Sequence, residues 1–222
     1  MKAILPYIIL VGLLFLSATM ILQAQEHSKV LRDFEVWTEL SFETKLSKKV
    51  GVELNQAVRL DQNGQSVKNV FTQIGIDYKI NKRWKFGGDY RWIPESDEES
   101  ENRFDVWLRY NKKILDRLEF SYRFKAETQT SNFSDFSNRF RNRIGLEYNI
   151  RKWKWDPSFQ IEFFYVYRYD FNNLSRIRYV LETERELIDN LDLSLGILYQ
   201  RNYHKTPLTS STAALVGLSY KF

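Results

Sequence analysis

The sequence predicts an all-β chain, an antiparallel transmembrane β-barrel of about 10–12 strands with short periplasmic turns and longer external loops. Three observations predict it. Apolar and polar residues alternate with a period of two through successive segments, each near the roughly 9–11 residues that a tilted strand needs to cross a hydrocarbon layer. The polar face of these segments is strongly charged. The final segment, Ser211 to Phe222, sets Ala214, Val216, Leu218, Tyr220 and Phe222 on one side and Ala213, Leu215, Gly217, Ser219 and Lys221 on the other, so its apolar face ends in aromatics.

Taken in order, the first segment sets Phe34, Val36, Leu40, Phe42 and Leu46 against Glu35, Trp37, Glu39, Ser41, Glu43 and Lys45, and Ser47-Lys48-Lys49 turns the chain. The second sets Val50, Val52, Leu54, Val58 and Leu60 against Glu53, Asn55 and Arg59, before a loop from Asp61 to Lys68 with Gly64 as its turn former. In the third, Val70, Ile74, Ile76, Tyr78 and Ile80 oppose Gln73, Asp77 and Lys79, and Asn81-Lys82-Arg83 forms a short turn. The fourth sets Trp84, Phe86, Tyr90 and Trp92 against Lys85, Asp89 and Arg91, then enters Pro94 and the acidic run Glu95 to Glu101.

In the fifth, Phe104, Val106, Leu108 and Tyr110 oppose Arg103, Asp105, Trp107 and Arg109. In the sixth, Leu118, Phe120, Tyr122 and Phe124 oppose Glu119, Ser121, Arg123, Lys125 and Glu127, ahead of a polar loop around 129–135. The seventh sets Phe140, Ile144, Leu146, Tyr148 and Ile150 against Arg139, Arg141, Arg143 and Glu147. The eighth sets Phe159, Ile161, Phe163, Tyr165 and Tyr167 against Gln160, Glu162 and Arg168, with Phe164 and Val166 as apolar exceptions on the inner side. The ninth alternates Ile177, Tyr179, Leu181 and Thr183 with Arg176, Arg178, Glu182 and Glu184. The tenth alternates Leu191, Leu193, Leu195, Ile197 and Tyr199 with Asp192, Ser194, Gly196 and Gln200, before a loop holding His204 and Pro207.

Turns near 47, 81, 151 and 187 read as short and those near 61, 93, 129 and 204 as longer, which puts Phe222 on the periplasmic side. The first segment is then out of phase, since it descends from outside with only Gln25 to Asp33 ahead of it. A twelfth strand, a misassigned early turn and an N-terminal segment rising through the lumen each reconcile this.

Alternation alone serves a soluble barrel or a two-layer sandwich equally well. Strand number separates them, because about eight strands already make an interior that side chains just fill, and eleven around an apolar core would leave a void. Turning the apolar face to lipid and the long charged side chains to the lumen removes the void. Aromatics gathered near segment ends, as in Tyr78 with Trp84, Trp153 with Trp155 and Tyr220 with Phe222, read as interfacial girdles.

Composition agrees with a strand-rich, exported chain. Aromatics make up 16% of the 222 residues, and the mean hydropathy of -0.46 excludes a bundle of membrane helices. The absence of Cys removes disulfides, thiolate catalysis and Cys-based metal sites. Residues 1–24 carry Lys2, a long apolar run from Ala3 to Ile21 and a small residue at Ala24, which reads as a secretory signal peptide cleaved after Ala24 and leaves 25–222 as the barrel. An uncleaved membrane anchor is the competing reading of the same run. Without Lys2 the balance is 32 - 28 = +4, too small a bias to imply nucleic acid.

The inner face carries the candidate functional residues. Glu35, Glu39, Glu43, Glu53, Glu119, Glu127, Glu147, Glu162, Glu182 and Glu184 share it with Arg59, Arg91, Arg109, Arg123, Arg139, Arg141, Arg143, Arg168, Arg176 and Arg178. Interdigitated, they form an ionic plug; on opposite walls, they form the transverse field of a diffusion pore. The plug is favoured, because Arg offers several fixed donors and there are enough carboxylates to meet them. Tyr220 and Phe222 form the expected signal for the barrel-assembly machinery. The acidic run 95–101 lacks the alternating spacing and central Gly of a calcium loop, and no other metal or cofactor motif is present. His27 and His204 are the only histidines, and His204 near Thr209, Ser210 and Ser211 is the one candidate for lipid-modifying catalysis, without a recognisable triad.

Several of these strands resemble a known family. The residues that carry the resemblance are Asp33-Phe34-Glu35-Val36-Trp37, Trp84-Lys85-Phe86-Gly87-Gly88-Asp89-Tyr90-Arg91, Asn102-Arg103, Arg141-Asn142-Arg143, Glu162-Phe163-Phe164-Tyr165 and Arg176-Ile177-Arg178-Tyr179. They are similar to the domain of unknown function 2490 family, outer-membrane β-barrel proteins of Bacteroidetes-type bacteria. The resemblance implies a barrel in the outer membrane and transfers no activity, substrate, cofactor or catalytic residue. The resulting expectation is a non-enzymatic structural or narrow-passage barrel with a largely occluded lumen. The alternatives are a porin-like small-solute channel and a lipid-modifying enzyme using His204. Expected partners are outer-membrane lipids, lipopolysaccharide and the assembly machinery; the oligomeric state is open.

Overall fold

Period-two alternation becomes one closed sheet. The computed structural model describes residues 31–94, 101–130, 137–151, 153–167, 172–203 and 208–222. Its strands are β1 (Leu31–Lys45), β2 (Val50–Asp61), β3 (Ser66–Lys79), β4 (Trp84–Ile93), β5 (Glu101–Leu115), β6 (Leu118–Thr130), β7 (Ser137–Tyr148), β8 (Asp156–Tyr167), β9 (Asn172–Ile188), β10 (Leu191–Asn202) and β11 (Thr209–Lys221). Each pairs with its neighbours in sequence, and β1 meets β11 to close the barrel.

The closing seam departs from the all-antiparallel expectation. β1 and β11 run parallel, from Leu31↔Thr209 to Glu43↔Lys221, because an odd number of alternating strands returns to the starting direction. This accounts for the first segment being out of phase: β1 runs the same way as β11, with no twelfth strand among the described residues. Leu31 therefore lies at the end that carries the β2–β3 and β4–β5 connections, and Phe222 at the end that carries the β1–β2 and β3–β4 turns.

Connection lengths are less regular than the sequence reading. The β2–β3 connection is tight, with Gln62, Asn63 and Gly64 all at positive φ (51°, 62° and 79°) and the Gly64 and Gln65 amides donating to the Asp61 carbonyl. Residues 149–155 at the opposite end make a longer connection than this one. We keep the labels short-turn end, for the end at Phe222, and loop end, for the end at Leu31.

Burial is inverted relative to a soluble domain. Outward residues such as Ile74, Ile76, Val106 and Ile197 are 51–59% exposed, whereas Glu35, Glu127 and Glu162, pointing inward, are 1–3% exposed. The buried apolar residues are few: Ala57, Phe71, Ile93, Trp107, Phe164, Leu198 and Ala213. Polar outward side chains pair across strands, Tyr90 with Asn102 (2.7 Å), Tyr122 with Asn142 (2.6 Å), Thr128 with Asn138 (2.9 Å) and Thr72 with Gln56 (2.6 Å). Each hydroxyl and amide there has a protein partner on a surface otherwise apolar.

Inward glycines let neighbouring side chains lie flat on the wall. A Cβ on Gly87 would sit 2.4 Å from the ring of Trp107 on β5 and 2.7 Å from the carbonyl of Ile76 on β3. Gly87→Ala is expected to displace the indole and lower stability by about 1–3 kcal/mol, as overpacking does. Urea unfolding in detergent followed by Trp fluorescence measures this; an unchanged midpoint overturns it.

Candidate functional site

The lumen side chains form a layer in which guanidinium groups alternate with aromatic rings. On β1 to β4, Arg59 lies 4.0 Å from the Trp37 ring and 4.9 Å from that of Phe71, and Arg91 lies 3.7 Å from the same Phe71 ring, donating also to Gln73. Arg178 on β9 reaches Trp37 on β1 at 5.0 Å, passing over the two strands between them. The inward residues it passes are compact, notably Ala213 on β11 and Leu198 on β10, both almost fully buried. Arg178 also lies 4.9 Å from Phe164, which Arg141 and Arg176 approach at 4.7 and 5.4 Å. Guanidinium groups stack on ring faces through cation–π attraction while their in-plane N–H groups stay available.

From Arg141 the layer continues as an ion network through β5 to β9. Glu162 accepts from Arg141 (2.9 Å) and Arg123 (3.2 Å), with Arg178 at 3.5 Å. Glu127 faces Arg139 (2.8 Å), Arg141 (3.1 Å) and Arg103 (3.5 Å). Arg141 thus bridges the two carboxylates. Beside them Lys125 pairs with Asp89 at 2.7 Å and Asp105 at 2.8 Å, and the Trp107 indole N–H donates to Asp89.

Below this layer, toward the short-turn end, the wall thins and turns acidic. Gly145, Gly217, Ser41, Ser158 and Ser194 alternate there with Glu43, Glu53, Glu182, Glu184 and Asp192. Ser41, Ser194, Gly217 and these five carboxylates line a cavity of about 380 Å³ that reaches up to Arg59, Arg141, Arg143 and Arg178. A second cavity at the mouth is lined by Glu147, Asp156, Arg185 and Lys221, the last paired with Asp192.

The sequence-derived residues fall into two groups. Arg123, Glu127, Arg139, Arg141, Glu162 and Arg178 meet in the ion network. The others have different partners: Glu35 takes Lys68 (2.8 Å) and the Trp37 indole N–H, Glu39 takes the Asn55 amide, and Glu119 takes the Asn111 amide. Arg109 lies 5.3 Å from Trp107, Arg143 donates to Gln160 and Arg176 to Asn202. Glu53, Glu147 and Glu182 form no ion pair among the described residues.

The register sets opposite signs directly across neighbouring strands at Glu127↔Arg139 and Glu162↔Arg178, but not throughout. Like charges face each other at Arg91↔Arg103, Arg109↔Arg123, Arg123↔Arg143, Glu43↔Glu53, Asp89↔Asp105 and Glu119↔Glu147. Such pairs repel when directly opposite, so the ion pairs run largely on diagonals and the signs separate along the barrel axis. Phe71, Arg103 and the Lys125, Asp89 and Asp105 triad were not among the candidates, although their inward parity was available from alternation. Tyr220 and Phe222 sit together at the short-turn end, rings 4.9 Å apart and edge-on, and Phe42 lies 6.4 Å from Phe222. The signal-peptide residues, His27, the acidic positions 95–100, Arg168 and His204 lie outside the described residues.

With the barrel established, its relatives can be placed. The profile of a protein family of unknown function, DUF2490, matches residues 34–211. The chain belongs to this family. The matched span runs from β1 into β11 and takes in every strand of the lumen layer. No curated protein matches the chain. Among solved structures, OccAB4 of Acinetobacter baumannii is 12% identical with a TM-score of 0.37, over 75% of this chain and 50% of that one. OccK11 (OpdR) of Pseudomonas aeruginosa is 14% identical with a TM-score of 0.35, over 70% and 51%. The chain spans about half the length of each.

Proposed function

We propose that this family member is an integral outer-membrane barrel, exported through a signal peptide cleaved after Ala24. Its short-turn end faces the periplasm, and its lumen is largely occluded by the guanidinium–aromatic layer. Its role is structural or narrow-passage and non-enzymatic. The single observation that carries the reading is the inverted burial, an apolar outer wall around a charged interior. Exposed apolar surface on that scale exceeds what a soluble monomer leaves in water, since the largest patch on such proteins is roughly 300–600 Å². Lipid and lipopolysaccharide would cover this wall, and Tyr220 with Phe222 offers the assembly machinery an aromatic end.

Electrophoresis of boiled and unboiled protein tests the barrel, with a heat-dependent mobility shift and membrane fractionation expected. Val106→Arg, on the outer wall, is expected to destabilise the lipid-embedded barrel by about 2–4 kcal/mol. Soluble periplasmic fractionation without a mobility shift sinks the reading. The cavity under the layer favours one further reading, a small-solute channel; stable unit conductance in planar bilayers, shifting when Arg141 or Arg143 is neutralised, would establish it over the occluded form.

A further inference from the structure

Beside the paired Arg141, Arg178 and Glu162, the cavity of about 380 Å³ holds opposite charges that form no ion pair among the described residues. Arg59 and Arg143 line its upper part. Arg59 contacts only ring faces and Arg143 the Gln160 amide oxygen at 2.9 Å; neither forms an ion pair with a carboxylate among the described residues. Glu53 and Glu182 line the lower part and likewise lack a cationic partner at ion-pair distance. Elsewhere in this lumen Arg and Glu side chains close onto each other readily, as at Glu127 and Glu162. Here they line one space, with Ser41, Ser194 and Gly217 between them on the wall.

We infer that the cavity binds a zwitterionic solute, a free α-amino acid or short peptide, entered from the short-turn end. The ligand carboxylate meets Arg59 and Arg143, and its ammonium meets Glu53 and Glu182. A guanidinium offers two parallel N–H donors to a carboxylate, an ammonium offers three donors to acidic oxygens, and the volume lies within the roughly 300–1,000 Å³ of small-molecule sites. The inference rests on the barrel reading above, since the cavity exists only inside the closed sheet.

Calorimetry on the full chain, purified in detergent and first checked for heat-dependent mobility, separates the two. Alanine or dialanine is expected to bind saturably. Dialanine amide and N-acetyl-dialanine, each lacking one charge, are expected to bind at least about tenfold more weakly, as are Glu53→Gln and Arg143→Gln variants with dialanine. Asp116→Asn, in the exposed β5–β6 turn, is expected to leave affinity unchanged. Equal affinity for the end-blocked peptides, or a heat-modifiable barrel that binds neither alanine nor dialanine at millimolar concentration, overturns the inference. Loss of heat-dependent mobility in the unsubstituted protein overturns the barrel reading itself.

Discussion

Glu162→Gln is expected to destabilise the barrel by about 3–5 kcal/mol, the cost of removing one partner from a buried charge cluster. The side chain is nearly fully buried and draws in Arg123, Arg141 and Arg178, so the amide leaves three guanidinium groups converging on a neutral group. Arg141→Met, by contrast, leaves Glu162 with Arg123 and Arg178, and Glu127 with Arg103 and Arg139. Its cost is expected to be smaller, about 1–3 kcal/mol. In the Arg141→Met background one of the three crowded cations is gone, so Glu162→Gln costs less there than alone, by a coupling of about 1 kcal/mol or more. Urea unfolding in lipid vesicles gives all four stabilities. Additive effects, or a Glu162→Gln barrel as stable as the parent, would show that the network is solvated rather than mutually supporting.

Deleting Phe222 is expected to cut the outer-membrane level of the protein by roughly tenfold while leaving refolded barrel stability within about 1 kcal/mol. The ring is largely exposed, contacts Phe42 and Tyr220, and its amide donates to the Glu43 carbonyl at 2.9 Å, so the folded barrel loses one hydrogen bond and little packing. A large loss on insertion with a small loss in stability assigns the residue to assembly. Quantifying membrane fractions beside urea midpoints of refolded protein reads both, and normal membrane levels contradict the assignment.

Strand positions were legible because a period of two survives any closure of the sheet. Phe34, Val36, Leu40 and Phe42 had to share a face whatever strand β1 met. Phe164 could be placed inward as an exception for the same reason. Pairing could not be read, since which residue of β4 faces Arg103 depends on turn lengths and bulges, such as the register shifts at Arg59/Leu60 and Phe164/Tyr165. The axial separation of charge, basic above and acidic below, follows from that register. So does the alignment of Trp37, Phe71 and Phe164 with their arginines, which for Arg178 and Trp37 joins strands far apart in the chain. The tight β2–β3 turn was only partly visible, because Gly64 marks it but Gln62 and Asn63 join it at positive φ.

The parallel seam also sets how the chain can be rewired. In a barrel with an even strand count the first and last strands run in opposite directions, so their outer ends adjoin and a short loop can link them. Here Leu31 and Phe222 stand at opposite ends of the 13-residue β11, about 40 Å apart at ~3.3 Å per residue. A circular permutant therefore needs about a dozen extended residues or more between Phe222 and Leu31, laid along the wall or through the lumen. Leu31 and Phe222 cannot be joined to each other by a hairpin.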